Sequence, residues 1–164
     1  MNIFLVVDLQ KQFKDNNGMY DKCLDFLSKA SDKYVIGTVF RNEKGSQFER
    51  HVNWSACMDT SLADLEYEYN NAFVKKSKYI DYEEIRACIG SAIDMAEEKV
   101  NIYLIGCDSD ACVMATAFVL WDMNLDFKIV TDLIYTTADN IDNKVVLQIM
   151  RRNFGDCLVH SDEI

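Results

Sequence analysis

Three kinds of reactive side chain follow short apolar runs in this chain. Asp8 ends the run Ile3–Val7, the lysines Lys75, Lys76 and Lys78 follow Ala72–Val74, and Cys112 lies a few residues beyond Val100–Ile105. A carboxylate can carry a proton, a lysine can hold an anion, and a cysteine can attack an electrophilic carbon. Each also has a plainer use. The carboxylate can cap a loop, the lysines can be solvated surface charge, and the cysteine can be a small buried hydrophobe. Cys112 is the most informative of them. With Ser109 as the N-cap it falls in the first turn of a helix, where unpaired amides and the positive end of the helix dipole gather. That position favours a thiolate of lowered pKa, and the same amides can donate to an oxyanion.

The elements that must position these residues alternate in type. Asn2–Val7 reads as a buried strand, and Tyr20, Cys23, Leu24 and Leu27 share one helix face. Tyr34–Phe40 is a second strand and Ala72–Val74 a short third. Ile85, Cys88, Ile89, Ala92 and Ala96 mark a helix that Asp81 is placed to cap, with Glu84 three residues on. Val100–Ile105 is a strand, Ala111–Met123 a helix apolar almost all round and therefore expected to be buried, and Phe127–Val130 a further strand. Val145, Ile149 and Met150 mark a last helix, with Arg151 and Arg152 in its final turn and Gly155 beyond, and Leu158–Val159 closes as a strand. This alternation predicts a three-layer α/β/α sandwich on a mostly parallel, Rossmann-like sheet of about six strands. Sites in such folds lie outside the carboxyl ends of the strands, where Asp8, the lysines and Cys112 all fall.

Composition excludes several other classes. The 164 residues are 49% hydrophobic and 27% charged, enough apolar material for one core and too much for a disordered chain. Seventeen basic against 27 acidic residues give a net charge of −10, the wrong sign for nucleic acid or an anionic membrane surface. The first apolar run is too short for a signal peptide or a membrane span, so a cytoplasmic location is expected. Six cysteines without a Cys-x-x-Cys pair suggest buried thiols rather than a zinc ribbon or a disulfide scaffold. Proline is absent, which leaves turns to Gly, Asn, Asp and Ser, as at Asp15-Asn16-Asn17-Gly18 and Gly45-Ser46.

Three segments resemble the isochorismatase-like cysteine hydrolases, in that family's order and across nearly the whole chain. VVDLQKQF is similar to its opening strand, Asp, Gln and Phe. VKKSKYIDY is similar to its lysine segment and aligns Lys76, not Lys75, with the family lysine. LIGCDSDACVMATAFVLWDMNLDFKIVTDL is similar to its cysteine block. The resemblance implies one domain over residues 1–164 and a catalytic triad of Asp8, Lys76 and Cys112. It further implies a non-proline cis peptide between Cys107 and Asp108, and an oxyanion hole from the backbone amides of Asp108 and Cys112. The reaction implied is hydrolysis of a small-molecule amide or related C–N bond through an acyl-enzyme, without a cofactor, by a homo-oligomer (dimer or higher). The apolar Phe118–Trp121 end of the cysteine helix suits its interface.

The chain also departs from the family. Its nicotinamidase branch holds a metal through an Asp-x-His motif and further histidines after the second strand, whereas that strand here runs into Arg41-Asn42, and only His51 and His160 exist in the whole chain. No metal is expected. The segment RNEKGSQFERHVNW is expected to cover the pocket, with Phe13 and Trp54 as wall candidates and Arg41 or His51 as partners for a substrate carboxylate. The alternative to an enzyme is a ligand-binding or thiol-redox sensing relative, in which Cys107 and Cys112 pair reversibly. Retention of both Asp8 and Lys76 favours the enzyme.

Overall fold

A computed structural model describes residues 1–29, 33–61, 64–67, 69, 72–97 and 99–164. Six strands, β1 (Asn2–Val7), β2 (Tyr34–Phe40), β3 (Ala72–Lys76), β4 (Asn101–Gly106), β5 (Phe127–Ile134) and β6 (Leu158–Val159), form one sheet in the order β3-β2-β1-β4-β5-β6. Every pairing is parallel, so the sheet is wholly rather than mostly parallel. The helices are α1 (Met19–Ser28), α2 (Gln47–Val52), α3 (Tyr82–Asp94), α4 (Cys112–Asp122) and α5 (Asn143–Phe154).

The continuous apolar run of β1 has its reason in the layers. Ile3, Leu5 and Val7 pack with α3, α4 and α5 on one face, while Phe4 and Val6 pack with Tyr20, Cys23 and Leu27 of α1 on the other. A strand covered on both faces has no polar side to show. Full burial of each such side chain contributes about 1.5–3 kcal/mol. Where β1 and β4 end together, Gly106 adopts φ +114, and a Cβ there would overlap the Val7 carbonyl. Only glycine allows that approach.

Several expected boundaries shift. β3 runs on to Lys76 and β5 to Ile134, because both continue to pair with neighbours. Asp81 does precede α3, but its side chain makes no cap hydrogen bond and lies 3.1 Å from Lys78 instead. Ala96 falls beyond the end of that helix. On α5 the buried face is Val146, Met150 and Phe154, while Val145 and Ile149 are exposed, so the helix is turned by one residue from the expected phase. Helix α4 is buried through Val113, Ala117 and Leu120, yet Phe118 and Trp121 stand 41% and 52% exposed on its outer side. Among the described residues no helix is long and apolar enough to cross a membrane.

Candidate active site

Parallel strands bring their carboxyl ends to one edge, and the three reactive residues meet there. Asp8 follows β1 in a left-handed conformation (φ +48) and is fully buried. Its amide donates to the Thr38 carbonyl at 3.1 Å and to Thr38 Oγ1 at 3.0 Å, and Thr38 Oγ1 donates back to Asp8 Oδ1 at 2.6 Å. Gln10 holds the exit of the same strand, its amide acting like one more peptide group of a ladder. Oε1 accepts from the Phe40 amide at 2.8 Å and Nε2 donates to the Phe40 carbonyl at 3.0 Å.

Lys76 is the last residue of β3 and pairs in register with Phe40. Lys75 points out to solvent, as the alternation of a strand requires. The Lys76 ammonium donates to Asp8 Oδ2 at 2.6 Å, to Cys112 Sγ at 3.4 Å and to the Lys78 carbonyl at 3.2 Å. Those are all the donors it has. Burial alone would lower its pKa, but the charge of Asp8 and the hydrogen bonds to Asp8 and Cys112 outweigh burial and hold it above the ordinary lysine value.

Cys112 is the first residue of α4, and the N-cap is Ala111 rather than Ser109. Ser109 is fully buried, its amide bonded to the Tyr135 carbonyl and its hydroxyl to Asn143 Oδ1. The thiol does not have the lowered pKa its position suggests. Burial pushes it well up, the negative charge of Asp8 pushes it further, and Lys76 only partly offsets them. Burial and the Asp8 charge thus favour the protonated form of the thiol beside the Asp8–Lys76 pair. Helix-terminus reasoning fails here because burial of the thiol comes first, and the nearest cation is already matched by a closer anion.

The Cys107–Asp108 peptide bond is cis. Asp108 has its carboxylate Oδ1 bonded to the Thr137 amide at 2.7 Å and the Thr137 hydroxyl at 2.8 Å. Among the described residues, no hydrogen-bond partner engages the backbone amides of Asp108 and Cys112. The six cysteines are free thiols, and Cys107 is buried with its sulfur donating to the Asp8 carbonyl at 3.4 Å.

A cavity of about 140 Å³ opens over Cys112, lined by Phe13, Phe40, Phe48, Val52, Trp54, Tyr79, Asp108 and Ala111. It is far smaller than the roughly 300–1,000 Å³ that takes drug-sized ligands. Phe13 and Trp54 face each other nearly parallel, with centroids 6.3 Å apart and planes at 10°. Both expected wall residues are thus in place, but Arg41 and His51 are not. Arg41 is exposed and its Nε donates to the Met58 carbonyl at 3.2 Å. His51 is exposed on α2, the short helix that the covering segment forms. The unforeseen walls Phe40, Phe48 and Tyr79 join in one aromatic cluster, with Phe40–Phe48 and Phe48–Tyr79 centroids at 5.1 and 5.0 Å. Their only trace in the sequence is aromatic density between 40 and 54, together with a tyrosine inside the lysine segment.

No family profile matches the sequence, and no curated protein matches it significantly. Solved structures do match. An isochorismatase-like hydrolase from Alkaliphilus metalliredigens is 14% identical, with a TM-score of 0.73 over 99% of this chain and 96% of that one. A pyrazinamidase/nicotinamidase from Streptococcus mutans is 14% identical, with a TM-score of 0.72 over 97% and 100%. A pyrazinamidase of Pyrococcus horikoshii in complex with zinc is 13% identical, with a TM-score of 0.67 over 97% and 98%. The chain has the isochorismatase-like α/β fold.

The described residues at this edge of the sheet do not fit a zinc ion. Asn42, just beyond β2, spends its side chain on the Glu43 amide, the Ser46 hydroxyl and the Trp54 carbonyl. Among the described residues, no group of three or more His, Cys, Asp or Glu side chains is arranged to hold a metal.

Proposed function

We propose that this chain is a cysteine hydrolase that cleaves a small amide, or a related C–N bond, through Cys112. The observation that carries the reading is the position of the Lys76 ammonium, 2.6 Å from Asp8 Oδ2 and 3.4 Å from Cys112 Sγ in a buried site that opens to a cavity. A buried ion pair is expensive, and apolar residues of similar volume often replace one at no loss of stability. Its presence against a thiol favours catalysis over a sensing role.

The reaction follows from the charges. Asp8 takes the thiol proton as sulfur attacks the carbonyl carbon. Negative charge then passes from the carboxylate to the sulfur beside the same ammonium, so no net charge is created in the buried site. The carbonyl oxygen becomes an oxyanion, met by the free amides of Asp108 and Cys112. Asp8 returns its proton to the leaving nitrogen, the C–N bond breaks, and a thioester to Cys112 remains. Water gives a proton to Asp8 and attacks the thioester, and the Cys112 sulfur leaves and is reprotonated. A flat apolar group on the substrate suits the opposed rings of Phe13 and Trp54.

In the same reading the protein works as a homo-oligomer. Phe118 and Trp121 of α4, with Val145 and Ile149 of α5, are exposed on helices joined by the Phe118–Phe154 ring contact at 4.9 Å. Light scattering on the wild-type protein and on Trp121→Arg tests this, and a wild-type monomer would end it. The enzymatic reading is tested by ammonia release across a panel of small amides, with Cys112→Ala as the blank. Turnover that disappears in the variant supports it. Silence across the panel, or equal rates in the variant, overturns it.

A further inference from the structure

The charge balance of the cleft is uneven. Lys76 is matched by Asp8 at 2.6 Å, yet Asp108 also lines the cavity. Thr137 takes Asp108 Oδ1, and among the described residues no donor reaches Oδ2. Among the described residues that line the cavity there is no lysine or arginine. Asp110, whose charge acts on Asp108, has a buried Oδ1 with no hydrogen-bond partner among the described residues.

The surroundings have the same sign. A second cavity of about 490 Å³ is lined by Thr137 and Tyr135, which bond to two wall residues of the first, Asp108 and the Phe13 carbonyl. Asp15, Asp139 and Asp142 border it, and the one basic residue among its described lining, Lys14, is paired with Asp21 at 2.7 Å. Five further wall residues of the first cavity, Phe13, Phe40, Phe48, Trp54 and Tyr79, are aromatic, and aromatic faces attract cations.

We infer that Asp108 is a specificity-determining residue, and that the cleft selects ligands carrying a protonated amine or amidinium beside a flat apolar body while rejecting carboxylates. The inference rests on the cleft's being the substrate site, but it is tested by binding rather than turnover. Calorimetry on full-length Cys112→Ala protein would compare benzylammonium, benzyl alcohol and benzoate. Benzylammonium should bind about tenfold more tightly than the alcohol, and benzoate most weakly. In the double variant Cys112→Ala/Asp108→Asn the advantage of the cation should fall below about threefold, with the alcohol unchanged.

Lowering the pH gives a second readout that needs no substitution at Asp108. Burial holds that carboxyl above the usual range, so the cation's advantage should shrink as Asp108 takes its proton. Equal binding of cation and alcohol, or an advantage that survives both Asp108→Asn and acid, overturns the inference. If the cation is preferred but no amide is hydrolysed, the enzymatic reading fails and the selectivity stands.

Discussion

Thr38 and Asp8 exchange two hydrogen bonds across the ends of neighbouring strands. The threonine hydroxyl donates to Asp8 Oδ1 at 2.6 Å and accepts from the Asp8 amide at 3.0 Å. The contact occupies one carboxylate oxygen, leaves the other to Lys76, and steadies a residue whose positive φ is uncommon outside glycine. Thr38→Val keeps the shape and loses both bonds. Turnover should fall by roughly tenfold, the cost of about 1.4 kcal/mol of misplaced charge, while Thr38→Ser retains most of it. Steady-state rates for the two variants, alongside their melting temperatures, check this.

The raised Cys112 pKa carries its own signature. Alkylation of this thiol at neutral pH should be slower than that of an exposed free thiol, and should rise as pH climbs beyond the ordinary thiol range. The folded state holds its proton more tightly than the unfolded chain. The stability linked to the neutral thiol is therefore complete below the unfolded value of 9.0, and is lost as pH rises above it toward the folded value. Cys112→Ala should unfold less readily at alkaline pH than the wild type, relative to each protein's stability at neutral pH. Mass-resolved alkylation and denaturant titrations at several pH values measure both effects.

Removing one partner of the buried pair should cost more than removing both. Lys76→Met strands the Asp8 carboxylate with 1% of its side chain exposed, and a loss of about 3–5 kcal/mol is expected. Adding Asp8→Asn should recover a large part of it, because asparagine tolerates the left-handed backbone and carries no charge. Chemical denaturation of the single and double variants decides the matter, and strictly additive losses would count against a coupled pair.

Pocket residues should separate cleanly from the residues beside them. Phe13→Leu and Trp54→Leu should raise KM for an aromatic amide by roughly tenfold with a smaller change in kcat, since they remove a stacking surface rather than a reacting group. Arg41→Ala and His51→Ala, both outside the cavity, should leave KM within about twofold.

Much of this was written in local patterns. The continuous apolar run of β1, with Asp8 directly after it, is legible because a strand buried on both faces has no other composition available. Cys112 is legible for a related reason, since parallel strands must deliver their carboxyl ends to the same edge, whereas Lys76 was singled out only by the family resemblance, lysines after a strand reading equally well as surface charge. The first-turn position of Cys112 also held, although the cap itself moved from Ser109 to Ala111. Side-chain phase on α5 was not legible. Val145 and Val146 are chemically alike, and only the docking angle of the helix exposes one and buries the other.

The sequence by itself determined the order of strands and helices and which reactive groups would share an edge. Tertiary structure alone decided the direction in which the thiol pKa moves and the walls of the cavity. A pKa is set by everything that displaces water and by every charge within a few ångströms, and at this site the two charges come from the ends of β1 and β3. The cavity is likewise closed by rings from separate segments, and the two polar residues expected beside it turn instead to a loop carbonyl and to solvent. Such outcomes depend on distances in space, which spacing along a chain does not encode.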